Sequence, residues 1–231
     1  PYPANWEASY IDLTTAIVDP YERVWLGSHP RQSGRKNWVF DFRTSPPDTF
    51  EWEPSARQDP GTCFDDLLTG VTSWDIDSQG YLWVGAHNGA YYTQAGIPDD
   101  LNSLHFVCVY DLPVGQSVNA VHVDADDNKW FGTDDGVAVM DKNFTWAHVF
   151  KTSDAEENRS GLASNSVTSI TSNPETGDIW IGTTDGLSRL QSPYVNRAGG
   201  LRDLKPYPNP FAADGAHRMF INHQDLGGVF D

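Results

Sequence analysis

The chain has 231 residues, 39% of them apolar and 13% aromatic, and a formal net charge of −17 at pH 7. That supports one large domain, or a domain with a tail, whose negative surface repels nucleic-acid phosphates and anionic lipid heads, so no nucleic-acid partner is expected. No stretch approaches the ~18 apolar residues of a membrane span, and Pro1-Tyr2-Pro3 shows neither an initiator Met nor a secretory signal pattern, as in a processed piece of something longer.

In chain order, residues 1–9, with Trp6, read as one isolated strand. Four copies of one phrase follow, each an apolar strand, a polar turn, then Trp, apolar, Gly. The first is Leu13-Thr-Thr-Ala16-Ile-Val-Asp19-Pro-Tyr-Glu22-Arg-Val-Trp25-Leu-Gly27, with Glu22 where a turn Gly or Asn is usual. The second runs from Val71 through Asp77-Ser-Gln-Gly80 to Trp83-Val-Gly85. The third runs from Val118 through Asp124 and Asn128 to Trp130-Phe-Gly132, and the fourth from Val167 through Asn173 and Gly177 to Trp180-Ile-Gly182. The tryptophans are 58, 47 and 50 residues apart.

Within each copy the first strand carries apolar residues on both faces, which predicts a strand covered on two sides. Asp accepts hydrogen bonds from nearby backbone N–H groups, and Gly or Asn tolerates positive φ, so the intervening residues predict a tight turn. A second hairpin follows at Asn88-Gly89, Asp135-Gly136 and Asp185-Gly186, with both central residues expected at positive φ. The first copy has instead a longer basic loop over 28–36. A fourth strand is predicted at Phe50-Glu-Trp52, at His105 to Tyr110 and at Thr145 to Lys151.

Four antiparallel strands recurring about every 50 residues describe an all-β chain with a β-propeller fold. The blades are expected over 10–56, 71–110, 118–151 and 167–191, within 10–191, and residues 1–9 would supply an outer strand of a preceding or closing blade. Four blades are few, so the ring is expected to be part of a larger one. Trp25, Trp83, Trp130 and Trp180 read as wedges between blades, and Gly27, Gly85, Gly132 and Gly182 leave room for that packing.

The string Gly177-Asp-Ile-Trp-Ile-Gly-Thr-Thr-Asp-Gly-Leu187 resembles the two-component regulator propeller repeat, and Lys129-Trp-Phe-Gly-Thr-Asp-Asp-Gly-Val137 is close to it. The resemblance covers roughly residues 10–190. It implies a periplasmic or extracellular propeller, a sensor domain or a secreted surface protein, whose repeats carry no catalytic residues. Beyond a linker over 192–206, Leu204-Lys-Pro-Tyr-Pro-Asn-Pro-Phe211 resembles the entry of C-terminal Ig-like modules on bacterial secreted proteins, some of them type IX secretion sorting domains. Residues 207–231 would then be the start of a truncated module of that kind.

Asp124, Asp126 and Asn128 resemble the front of a calcium loop, without the Gly and distal Glu that complete it, and are the candidate metal ligands; turn chemistry is the competing reading. Asp75 and Asp77 form a weaker carboxylate pair, one of them solvated. Cys63 and Cys108 sit shortly before successive copies, so they are either a disulfide between adjacent units or two buried thiols. His122, in mid-strand, reads as a satisfied core histidine; His29 and His87 could share one propeller face. No metalloprotease, phosphate-loop or nucleophile-elbow pattern occurs.

The chain is therefore expected to be a non-catalytic, secreted or cell-surface scaffold that mediates binding or assembly through a protein partner or a surface glycan, with no membrane insertion. A periplasmic sensor domain of a two-component regulator is the first alternative. A polysaccharide-active enzyme is the second, requiring convergent acid, base and cation groups at the ring centre.

Overall fold

The structure is a computed structural model that describes residues 13–28, 37–44, 48–52, 70–152, 161–173 and 176–190. Fifteen strands form four separate antiparallel sheets among these residues. The first sheet is β1 (Leu13–Val18), β2 (Arg23–Ser28), β3 (Asn37–Asp41) and β4 (Asp48–Trp52). The second is β5 (Val71–Ile76), β6 (Leu82–Ala86), β7 (Gly89–Thr93) and β8 (Phe106–Cys108). The third is β9 (Val118–Val123), β10 (Lys129–Thr133), β11 (Gly136–Met140) and β12 (Trp146–Phe150). The fourth has three described strands, β13 (Val167–Ser172), β14 (Ile179–Thr183) and β15 (Gly186–Leu190).

Strand order within every sheet follows the chain, as in propeller blades. The first strands β1, β5, β9 and β13 pack side by side in that sequence, so the sheets stand in a row like staves. No comparable packing joins β13 back to β1 among the described residues, which leaves an open arc. The described residues include a 3-10 turn at Leu101–Ser103, and no helix long and apolar enough to cross a membrane. Residues 1–9, the linker and the Ig-like segment, together with Cys63, His29 and Gln191, lie outside the described residues.

The turn chemistry differs from expectation in two places. Glu22, Gly80, Asp127 and Gly177 hold the left-handed position of the first turn in each blade, with φ of 63°, 82°, 62° and 72°. In the third blade that place belongs to Asp127 rather than to Asn128. In the second hairpins only the glycines Gly89, Gly136 and Gly186 have positive φ; Asn88, Asp135 and Asp185 do not. The Asn-Gly and Asp-Gly pairs therefore close these hairpins with one left-handed residue, not two.

Apolar side chains gather between blades. Trp25 joins Val71, Trp74 and Leu82 of the second blade in one cluster. Trp83 joins Val118, Val121 and Phe131 of the third, and Trp130 joins Val167, Ile179 and Ile181 of the fourth. The driving force for the arc is thus burial of each Trp ring against the next sheet.

Candidate functional site

The turn aspartates hold the tryptophans. Asp19 Oδ1 accepts from the Tyr21 and Arg23 backbone N–H groups, while Oδ2 accepts from Trp25 Nε1 at 2.9 Å. Asp77 does the same with Gln79 N, Tyr81 N and Trp83 Nε1. Asp124 does so with Asp126 N, Asn128 N and Trp130 Nε1. One carboxylate therefore closes the turn and satisfies an indole N–H that burial would otherwise leave unpaired, at a cost of about 1–3 kcal/mol. The fixed Asp-to-Trp spacing of six residues in three copies was visible in the sequence and not read there.

Asn128 Nδ2 donates to both Asp124 oxygens, at 3.1 and 2.9 Å, so the amide nitrogen faces the carboxylate. Asp126 is exposed. No group of three or more His, Cys, Asp or Glu placed to hold a metal occurs among the described residues. As arranged, Asp124 and Asn128 are joined by turn hydrogen bonds, and the Asp126 backbone N–H joins the same carboxylate. Of the Asp75–Asp77 pair, Asp77 is buried on Trp83, and Asp75 is partly exposed and engaged by His122.

Each joint between blades has the same three parts. First, the leading residue of each inner strand seats on the preceding Trp-x-Gly glycine. A methyl at Gly27 would lie 2.9 Å from Val71 Cγ1, at Gly85 3.0 Å from Val118 Cγ1, and at Gly132 2.5 Å from Val167 Cγ1. Second, the residue after the leading one donates forward to the next leading carbonyl: Thr14 Oγ1 to Val71 O, Thr72 Oγ1 to Val118 O at 2.5 Å, and Asn119 Nδ2 to Val167 O at 3.0 Å. Third, Trp25, Trp83 and Trp130 are fully buried across the joint.

Buried cations add a fourth contact that the sequence reading missed. Arg23 pairs with Asp19 at 2.6 Å and donates to the Pro98 and Asp99 carbonyls of the second blade. Lys129 of the third blade reaches Asp77 of the second, with its ammonium over the Trp83 and Phe144 rings. Asp127 of the third blade accepts from the Ser78 backbone and hydroxyl of the second. Burial works to raise the Asp127 pKa, but those bonds and the nearby Lys129 and Lys142 hold it below the ordinary value.

Among the described residues, the joint at each end of the arc is half built. Leu13 is 51% exposed and Val18 61%, whereas Val71, Val118 and Val167 are buried. At the other end Trp180 is only partly buried and Thr168 is exposed. A methyl at Gly182 would meet only Ser169 and Thr168 of its own blade.

The other expected residues are placed as follows. Cys108 is nearly buried and disulfide-bonded. His87 Nδ1 lies 3.5 Å from Ser117 Oγ. His122 is partly exposed rather than enclosed, and its ring bridges Asp75 and Ser172 of the blades on either side. Burial pushes the Tyr91 hydroxyl up to about 12, against a hydrogen bond to Asn88 that lowers it.

A scan against protein-family models finds no match, and a search of the curated proteins finds none either. Solved structures do match. A component of the type-IX secretion system of Porphyromonas gingivalis, PorZ, is 18% identical over 78% of this chain and 26% of its own, with a TM-score of 0.60. The extracellular domain of a putative hybrid two-component system from B. thetaiotaomicron is 18% identical over 79% of this chain and 22% of its own, with a TM-score of 0.54. A putative gluconolactonase is 12% identical over 79% of this chain and 59% of its own, with a TM-score of 0.53. The chain spans about a quarter of the length of the first two. At these identities the likeness is one of fold, and the chain has the blades of a β-propeller.

Proposed function

We propose that this chain is an arc of an extracellular β-propeller that serves as a scaffold for binding or assembly. The observation that carries this reading is the pair of half joints. Among the described residues, Leu13 stands exposed where three other joints have a seated residue, Val18 at the far end of the same strand is exposed as well, and the Gly182 surface has the construction of the three surfaces that seat them. The partner that fits is a further four-stranded blade of the same kind, because the three complete joints continue into it without change. Burying a Leu or Val side chain stabilises by about 1.5–3 kcal/mol. The joint is heterologous, so one end complements the other. An extracellular setting is supported by the fold shared with a secretion-system surface component and with the extracellular domain of a two-component system, and by the Cys108 disulfide, which suits an oxidising compartment.

Sedimentation velocity tests the reading. The isolated chain is expected to associate as concentration rises, and the double variant Leu13→Asp, Val18→Asp to stay monomeric. A chain that remains monomeric at every concentration would sink it. A second reading, the sensor domain of a two-component regulator, is favoured by the likeness to two such extracellular domains. A kinase encoded downstream in the same reading frame is the observation it requires.

A further inference from the structure

The inner strands of the last three described blades bring together a carboxylate, an imidazole and a hydroxyl. His122 of β9 has Nδ1 3.0 Å from Asp75 Oδ2 of β5 and Nε2 2.8 Å from Ser172 Oγ of β13. The Asp75 carboxylate is itself held: Oδ1 accepts from Ile76 N at 2.8 Å, and Oδ2 accepts from Val123 N at 2.8 Å. An ionised carboxylate only accepts, so the neutral ring carries its proton on Nδ1 and presents Nε2 as the acceptor for the Ser172 hydroxyl. The Asp75 and His122 side chains are 28% and 18% exposed, and Ser172 is partly exposed, so none of the three is sealed from solvent.

We propose that Asp75, His122 and Ser172 form a nucleophilic relay that cleaves small, activated carboxylic esters. The arrangement supplies the three roles that a serine nucleophile needs, and such sets are recognised by geometry and role, not by chain order. Ser172 Oγ attacks the ester carbonyl carbon while its proton passes to His122 Nε2. The carbon–oxygen bond to the leaving group breaks, and the departing alkoxide takes that proton and leaves as an alcohol. Water then attacks the acyl-serine, with His122 again accepting and returning a proton, and releases a carboxylic acid and free Ser172. Asp75 keeps the ring in the required tautomer and faces the imidazolium when it forms. The relay assigns a nucleophile, a base and an orienting carboxylate but no oxyanion donor, a feature worth about 10²–10³-fold in rate. Esters with good leaving groups, rather than amides, are therefore the expected substrates. This activity is additional to the scaffold role and independent of it.

The test uses the full chain with a fluorophosphonate probe, peptide mapping by mass spectrometry, and p-nitrophenyl acetate hydrolysis. A single adduct on Ser172 is expected, with a burst of p-nitrophenolate equal to the protein present. His122→Gln is expected to slow labelling by about 10²–10⁴-fold, the usual contribution of a positioned general base. Should that variant not fold, the pH dependence of labelling in the unaltered chain serves instead: the rate rises as one group deprotonates, then levels off. Absence of an adduct on Ser172, equal labelling of folded His122→Gln, or a rate that climbs steadily with hydroxide overturns the proposal.

Discussion

The ammonium of Lys129, in the third blade, lies 3.3 Å from the carboxylate of Asp77, in the second, with both side chains fully buried. No hydrogen bond to the Lys129 nitrogen is formed, so the contact is charge–charge with aromatic faces around it. Asp77 keeps three N–H donors of its own whether or not Lys129 is present. Asp77→Ala leaves a buried cation and an unpaired indole N–H, and is expected to destabilise by about 3–5 kcal/mol. Lys129→Met, which keeps the packed stem, is expected to cost less than about 2 kcal/mol. Urea unfolding followed by Trp fluorescence compares the two, and equal costs would contradict the asymmetry.

The glycines of the Trp-x-Gly phrases are expected to separate by their place in the arc. Gly132→Ala drives a methyl to 2.5 Å from Val167 Cγ1, on the next blade's backbone-fixed side chain, and should cost about 1–3 kcal/mol. Gly182→Ala meets the Ser169 and Thr168 hydroxyls, which can rotate away, and touches the Ser169 carbonyl only at an ordinary 3.7 Å, so it should cost less than about 1 kcal/mol. The same unfolding measurement checks the order of the two.

Glu22 sits at φ 63° in the place where the second blade has Gly80 at 82°. A left-handed backbone costs a non-glycine residue roughly 1–2 kcal/mol, so Glu22→Gly is expected to stabilise by about 1 kcal/mol and raise Tm. Gly80→Ala is the reciprocal control. Nothing lies within 4 Å of the added methyl there, so any loss is conformational rather than steric.

Asp41 gives a pH signature. The side-chain hydrogen bond from Arg43, supported by the Arg43 backbone N–H, lowers its pKa from the ordinary 3.8 to about 2. A carboxylate depressed in the folded state favours folding above its unfolded value, and the contribution fades as pH falls from about 4 through about 2. NMR titration should place the Asp41 midpoint near 2 and return it towards 3.8 in Arg43→Gln. The pair is at the surface, so added salt should shrink the difference.

The propeller was legible because its signals are local. The Trp-x-Gly phrase and the glycines of the hairpins each declare a strand or turn within a few residues, and the short Asp turns declare their closure. What tied the blades together was less so. Thr14, Thr72 and Asn119 look like ordinary strand polar residues until their carbonyl partners, a repeat away, are in view. Burial of Lys129 and Arg23 has no local signal, because it depends on partners in another part of the fold. His122 reads as a core histidine in the sequence for the same reason: Ser172 is 50 residues along. Aligned copies do place Asp75 and His122 at the same strand position, a signal available in the sequence that went unused.

The forward bond from the second residue of each inner strand to the next leading carbonyl gives the arc a direction, as a polymer has a plus end and a minus end. The Leu13 edge offers a side chain to be seated and a carbonyl to be capped; the Gly182 edge offers a floor and a hydroxyl, that of Thr168. The two edges of the described arc therefore call for two different terminators. One must bring its own glycine floor and donor, and the other an apolar residue with a free carbonyl. A single module could finish both only by bridging them, which is the geometry of a closed ring.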